Sequence, residues 1–218
     1  MPPGYDNSVF VNCPFDTAYR PLFEAVLFAV YDCGFHPRCA LEVDDSSEVR
    51  IQKITSIIRE CRLAIHDISR TQLDQESRLP RFNMPFELGV FVGAKVFGGR
   101  DHRRKACIVL EAERYRYQKF ISDIAGQDIR GHDRSVDRVI HHVRDFLSGY
   151  HPGAVVLPSG RVLTKRYRAF RRHMGPSCTK MHLDREALTY RDFANLVVGW
   201  IDVHPLPHHA PTGAPMAA

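Results

Sequence analysis

This chain of 218 residues lacks several features that would by themselves indicate its protein class. No stretch of about 18 consecutive apolar residues occurs, so we expect no membrane-spanning helix and no membrane partner. The N-terminal segment MPPGYDNSVFVN lacks a basic region followed by an apolar one, so it does not resemble a secretion signal. These absences predict a cytoplasmic protein.

Cysteine is present, but in no pattern that is typical of a metal or redox site. The six cysteines stand at positions 13, 33, 39, 61, 107 and 178 and include no C-x-x-C pair. In a chain without an export signal, this distribution predicts reduced thiols and no structural zinc. His208 and His209 are adjacent, but they lie in a tail rich in proline and alanine and do not by themselves predict a metal site.

The common nucleotide-binding and hydrolase motifs are absent as well. No G-x-G-x-x-G follows the first predicted strand and no G-x-x-x-x-G-K-[ST] occurs, which disfavours a classical dinucleotide-binding fold and a P-loop NTPase. Neither G-x-S-x-G nor H-E-x-x-H is found. The balance of 30 Lys+Arg against 25 Asp+Glu is mildly basic, which suits an anionic ligand such as a nucleotide.

What the sequence does contain is an alternation of short apolar runs with helix-length segments. The strand-like runs lie at 8–12, 35–43, 62–69 and 103–111. This alternation predicts an α/β fold over residues 1–149, with an open, flavodoxin-like parallel sheet and helices on both faces. After a Pro/Gly-rich stretch, two more helical segments predict a C-terminal helical appendage over 150–203 that packs on the α/β domain. The composition of 204–218 predicts a disordered tail.

Two helix starts carry recognisable signals. Asp45 and Glu48 are three residues apart, which predicts a capping box at the start of the second helix. The apolar run from Leu88 to Phe97 predicts a buried third helix that packs on the sheet. Glu87 then falls in the first turn of this helix, at the end of the sheet and outside the core.

In an open parallel sheet, ligands bind beyond the carboxyl ends of the strands. The polar or aromatic residues expected at that edge are Asn12, Phe15, Asp16, Asp67, Ser69, Arg70, Arg81, Asn83 and Glu87. The carboxylates among them predict a crevice that suits a reaction on a base or a sugar better than phosphoryl transfer.

Three segments resemble a known superfamily. VFVNCPFD resembles the opening of TIR domains, and AIHDIS followed by NMPFELGVFVGAK resembles the strand-three Asp and the helical ELG of nucleoside 2-deoxyribosyltransferases. The order FVNCPFD, FNMPFELG and YQKFISDIAGQD also resembles a group of bacterial TIR-like nucleotide-binding proteins. TIR proteins usually carry Ser or Cys a few residues before the Glu, where this chain has Asn83, Met84 and Pro85.

This resemblance implies a TIR-like N-glycosidase that cleaves the nicotinamide–ribose bond of NAD⁺ or a related nucleotide, as a bacterial antiviral defence effector or signal producer. It implies that Glu87 and Asp67 are catalytic. It further implies that the remaining edge residues bind the substrate; they are Asn12, Phe15, Asp16, Ser69, Arg70, Arg81 and Asn83. NAD⁺ would be the substrate, no cofactor would be needed, and copies of the chain would self-associate.

Plainer interpretations stay open. Glu87 could only complement the helix dipole, and Asp67 could only cap the loop after its strand. The crevice could bind a nucleotide without turnover, which would make the protein a sensor or scaffold. The basic segments RDHRRK and KRYRAFRRH could bind nucleic acid, although a solvated helix face is the simpler explanation. Cys13 has no histidine partner placed by the sequence, and His66 fits a core position.

Overall fold

The computed structural model describes residues 4–43, 45–70, 82–151 and 155–209. The strands are β1 (Ser8–Asn12), β2 (His36–Arg38), β3 (Leu63–Asp67), β4 (Ala106–Glu111) and β5 (Arg130–Gly131). The helices are α1 (Arg20–Asp32), α2 (Arg50–Glu60), α3 (Asn83–Phe97), α4 (Val136–Ser148), α5 (Gly160–Lys180) and α6 (Tyr190–Val203).

The five strands form one parallel sheet in the order β2-β1-β3-β4-β5. Strand β1, the second in this order, pairs with β2 on one side and with β3 on the other. Because every neighbouring pair is parallel, the carboxyl ends of all five strands meet at one edge. The predicted α/β sheet is confirmed.

Helices cover both faces of the sheet because side chains alternate along each strand. Val9 and Val11 of β1 point to the face that is covered by α1 and α4, and Phe10 points to the face that is covered by α2 and α3. Each face has its own apolar core, and all five residues of β1 are buried. This alternation fixes the strand register and therefore the position of the residues that follow β1.

The two C-terminal helices pack on α1 and belong to the same core as the sheet. Phe28 of α1 contacts Phe170 of α5, with ring centroids 5.4 Å apart, and Trp200 of α6, with centroids 5.7 Å apart. Tyr167 and Phe170, the two aromatic residues of the basic segment in α5, are both buried. Neither ring is therefore exposed to stack on a nucleic-acid base.

The start of α2 differs from its prediction. The helix begins at Arg50, and the structure gives its N-cap residue, Val49, no side-chain capping bond. Asp45 instead accepts hydrogen bonds from the backbone N–H of Ser47, at 2.8 Å, and from the Ser47 hydroxyl, at 2.7 Å. The predicted capping box is wrong because the Asp45 oxygen closes a local turn two residues on.

The predictions for α3 need two corrections. The helix begins at Asn83, so Glu87 lies in its second turn and not in its first. The helix is also not buried on all sides, because the side chains of Phe86 and Phe97 are 59% and 90% exposed. Only one stripe of α3 is covered by the sheet, and that stripe includes Glu87.

Smaller differences concern short elements. The segment 116–124 contains two 3₁₀ turns, and the two-residue β5 was not predicted. Within the predicted tail, residues 207–209 form a 3₁₀ turn in which His208 is buried and contacts the backbone oxygen of Asp32.

The six cysteines are free thiols, and all but Cys107 are buried. Among the described residues, no helix is both long and apolar enough to cross a bilayer.

Candidate functional site

A cavity of about 290 Å³ opens at the carboxyl edge of the sheet, and we call it the Glu87 pocket. It is bounded by the end of β1 and the loop that follows it, the first residue of α2, Arg70 after β3 and the first turns of α3. Its lining residues are Asn12, Cys13, Pro14, Phe15, Asp16, Arg50, Arg70, Asn83, Met84 and Glu87. This is the edge at which ligands of parallel α/β sheets bind.

Glu87 is held in the pocket wall by the helical repeat of α3. The buried residues of this helix are Met84, Glu87, Leu88 and Phe91, which stand at spacings of three and four. The Glu87 side chain is only 7% exposed, and its Oε1 lies 3.7 Å from Nη2 of Arg50. Burial raises the pKa of Glu87 to about 7, although the nearby Arg50 cation acts in the opposite direction.

Arg50 was not predicted as a site residue. It is the first residue of α2, and its side chain is half exposed beside Glu87. The sequence did hold a signal for it, since the first residue of the helix after β2 must lie near the same edge of the sheet as the residues after β1. The capping prediction placed the helix start too early and hid this signal.

Asn12 ties the end of β1 to the start of α3. Its Nδ2 donates to the backbone oxygen of Met84 at 2.9 Å and lies 2.9 Å from Nδ1 of His66. Burial lowers the pKa of His66 to about 3, so the ring is neutral and Nδ1 can accept the second hydrogen of the Asn12 amide. With both amide hydrogens used, the carbonyl oxygen of Asn12 remains for a ligand.

Asp16 also lines the pocket, but it is closely paired. Its Oδ1 lies 2.6 Å from Nη2 of Arg70 and accepts a hydrogen bond from the backbone N–H of Tyr19. Phe15 packs its ring edge against Phe23, with centroids 5.3 Å apart, and stays partly exposed. The pocket therefore combines an aromatic surface and a neutralised ion pair with the loosely paired carboxylate of Glu87.

Asp67 was predicted to share a pocket with Glu87, but it is not among the residues that line the Glu87 pocket. Its carboxylate is fully buried and accepts hydrogen bonds from the Tyr19 hydroxyl at 2.5 Å and from the Ser69 backbone N–H at 2.9 Å. The ring of His132 completes this shell, with Nε2 3.0 Å from Oδ2. Asp67 thus holds the loop after β3 in place. Tyr19 and His132, which hold it, were not predicted.

The other predicted substrate-binding residues do not all line the Glu87 pocket. Asn83 lines the Glu87 pocket, whereas Ser69 lines a neighbouring cavity, and Arg70 lines both. Arg81 lies outside the described residues. Cys13 lines the pocket, but burial and then the nearby charge of Asp67 raise the pKa of its thiol well above the usual value. The thiol therefore stays protonated at neutral pH and is a poor nucleophile.

Comparison with known proteins adds no assignment to this geometry. No family model matches the chain, and no curated protein matches it. Within the described ranges, no group of three or more His, Cys, Asp or Glu side chains is arranged to hold a metal ion. The chemistry that the pocket itself offers is one buried carboxylate that titrates near neutrality, next to two guanidinium groups and an aromatic ring.

Proposed function

We propose that the Glu87 pocket cleaves the C1′–N glycosidic bond of a nucleotide, with NAD⁺ as the first candidate substrate. The observation that carries this proposal is the position of Glu87: its carboxylate is buried at the ligand-binding edge of the sheet, has a pKa of about 7 and lies 3.7 Å from its nearest cation. Perturbed carboxylates in such clefts are typical of catalytic groups.

The reaction places its charge where this carboxylate can act. As the C1′–N bond breaks, its electron pair goes to the nitrogen, and positive charge develops on the ribose ring. Ionised Glu87 stabilises that charge and accepts a proton from the water that adds to C1′. The products from NAD⁺ are nicotinamide and ADP-ribose, and the proton is released to solvent when Glu87 returns to its ionised form.

The described carboxylates favour a cationic leaving group. Nicotinamide carries a positive charge in NAD⁺ and departs as a neutral molecule, so no acid has to protonate it. A neutral purine would need a proton donor, but Asp67 is enclosed by Tyr19 and His132, and Asp16 is paired with Arg70. The pocket therefore suits a nicotinamide nucleotide better than a purine nucleoside.

The remaining lining residues fit substrate orientation. The exposed part of the Phe15 ring offers a stacking surface, and the Asn12 carbonyl offers an acceptor for a ribose hydroxyl. Asp67 acts as a positioning residue, because it fixes the loop that carries Arg70. Self-association and a role in defence, which the resemblance to TIR-like proteins implies, stay predictions.

The test is release of nicotinamide from NAD⁺ by the purified full chain, followed by liquid chromatography up to the highest soluble protein concentration. We expect release by the wild type and a loss of about 10²–10³-fold in Glu87→Gln, because the neutral amide cannot stabilise the developing charge. Glu113→Gln, at an exposed position that is not among the residues lining the Glu87 pocket, is the matched control and should keep full activity.

Two results would count against this function. If the wild type releases no nicotinamide at any concentration, the N-glycosidase proposal fails for NAD⁺. If Glu87→Gln and Glu113→Gln release it equally fast, Glu87 is not the catalytic carboxylate. Binding of NAD⁺ by calorimetry without any turnover would instead support the alternative of a nucleotide-binding sensor or scaffold.

A further inference from the structure

A second cavity, of about 340 Å³, lies beside the Glu87 pocket, and we call it the Arg134 cavity. It is bounded by the start of α1, the residue pair after β3 and the loop between β5 and α4. Its lining residues are Ala18, Tyr19, Pro21, Leu22, Ser69, Arg70, His132, Arg134 and Val136. Since Arg70 lines both cavities, the two adjoin at this side chain.

The charge of the Arg134 cavity is of one sign. Arg70 and Arg134 bring two guanidinium groups to its wall, of which Arg70 is paired with Asp16 of the Glu87 pocket, and no carboxylate is among the described lining residues of the Arg134 cavity. Asp133, the acid next to Arg134 in the chain, is paired with Arg138. Among the described residues, no ion pair is formed by the Arg134 side chain, so this guanidinium is available to an anion.

The backbone holds Arg134 at this position against a conformational preference. Asp133 and Arg134 have φ angles of 48° and 54°, in the left-handed region that residues other than glycine rarely adopt. Two hydrogen bonds fix them: Asp133 N–H donates to Ala112 O at 2.9 Å, and Arg134 N–H donates to Nδ1 of His132 at 3.0 Å. Such strained residues persist where the surrounding contacts over-determine them, and they concentrate at ligand sites.

The same hydrogen bond assigns the ring proton of His132. Because Nδ1 accepts from Arg134, the neutral ring carries its proton on Nε2, which lies 3.0 Å from Asp67 and 3.1 Å from the hydroxyl oxygen of Ser69. A protonated Nε2 cannot take the proton of Ser69, so these three residues do not form a nucleophilic triad. The one Nε2–H faces both the Asp67 carboxylate and the Ser69 oxygen, and in either case the ring does not accept the Ser69 hydroxyl hydrogen, which Ser69 can donate to a ligand.

We propose that the Arg134 cavity is an anion site that binds the phosphate groups of the nucleotide whose ribose faces Glu87, with Arg134 and Ser69 as donors and Arg70 shared between the two cavities. This inference rests on the proposed function for the identity of the nucleotide. Arginine forks match phosphate oxygens, and a hydroxyl donor completes such a site. The substrate class is therefore a nucleoside diphosphate or dinucleotide and not a free nucleoside.

The test is calorimetric titration of the full chain with three probes: inorganic pyrophosphate, ADP and adenosine. We expect the wild type to bind pyrophosphate and ADP, and Arg134→Gln to weaken both by about tenfold or more, because one charge-assisted contact is lost. The affinity for adenosine should not change. Glutamine keeps the backbone strain of arginine at this position, and thermal melting checks that the variant folds.

Arg172→Gln, which removes the same charge from an exposed position in α5, is the matched control. The inference is overturned if the wild type does not bind pyrophosphate or if Arg134→Gln and Arg172→Gln bind ADP equally. It is also overturned if Arg134→Gln weakens the binding of adenosine as much as the binding of ADP. Failure of the proposed function is separate: Arg134-dependent binding without nicotinamide release would keep the anion site and remove the enzyme. Nicotinamide release together with an unchanged affinity of Arg134→Gln for ADP would keep the enzyme and remove the anion site.

Discussion

At the scale of single residues, Glu87 has an energetic consequence that does not depend on any substrate. Its pKa is about 7 in the folded chain against an ordinary value of 4.5. Between these two values the unfolded chain has lost the proton and the folded chain retains it, so stability falls as pH rises through this window. Above pH 7 the full penalty of a buried, ionised carboxylate is present.

We therefore expect Glu87→Gln to be more stable than the wild type at pH 8, by about 1–3 kcal/mol in the free energy of unfolding, a range that allows for partial screening by solvent. The difference should shrink to a small fraction of this at pH 5. Urea denaturation at both pH values measures it. The exposed Glu113→Gln should show no such pH-dependent gain, and an equal gain in the two variants would contradict the raised pKa.

The sequence could predict most residues of the Glu87 pocket, because they lie at or next to the ends of strands and helices that local patterns predict. Asn12, Phe15 and Asp16 follow directly from the end of β1, and Asn83 and Glu87 follow from the start of α3. The environment of Asp67 could not be predicted in the same way. It is created by Tyr19 and His132, which are distant in the chain and belong to segments that carried no recognisable signal.

At the scale of elements, α2 and α6 show how one local pattern gives two outcomes. Near the start of each helix, a residue that can cap is followed three positions later by an acidic residue. The pairs are Asp45 and Glu48 at α2, and Thr189 and Asp192 at α6. At α6, Thr189 and Asp192 form a true capping box, in which each side chain bonds to the backbone N–H of the other residue. At α2, Asp45 bonds to Ser47 instead. The pattern alone does not reveal which partner the oxygen will take.

This difference predicts that removing the side chain of Thr189 destabilises the protein more than removing that of Glu48. Thr189→Ala should lower the free energy of unfolding by about 1 kcal/mol, because an N–H at the start of α6 loses its acceptor. Glu48→Ala should change it by less than about 0.5 kcal/mol, since Glu48 is exposed and caps no helix. Thermal unfolding measures both. Equal losses would contradict the assigned caps.

At the scale of the whole molecule, the C-terminal helices are part of the core. They were predicted as a helical appendage packed on the α/β domain because a Pro/Gly-rich stretch precedes them, and the division into two domains stays a prediction, since such a stretch can equally be a connection within one domain. The structure shows that α5 and α6 cover α1 through Phe170, Phe193 and Trp200. Sequence patterns predict which faces are apolar, but they do not indicate which of those faces pair.

Trp200 tests this packing. It contacts Phe28 and Phe170, and the guanidinium carbon of Arg166 lies 4.9 Å from the centre of its ring. We expect Trp200→Ala to lower the free energy of unfolding by about 3–5 kcal/mol, because it leaves a cavity in the shared core. Val203→Ala is the control in the same helix, since Val203 is 71% exposed and should matter little. Similar losses in a urea titration would mean that α6 is not part of the core.

The packing of α5 and α6 on α1 also sets an order of events when the chain is synthesised. Because α1 precedes α5 and α6 in the chain, the part of its apolar surface that they cover cannot be buried against them until α6 has left the ribosome. The sheet pairings likewise join strands that are separated by helix-length connections, so none of them closes as a local hairpin. The part of α1 that α5 and α6 cover therefore stays exposed in the nascent chain until these two helices have been made.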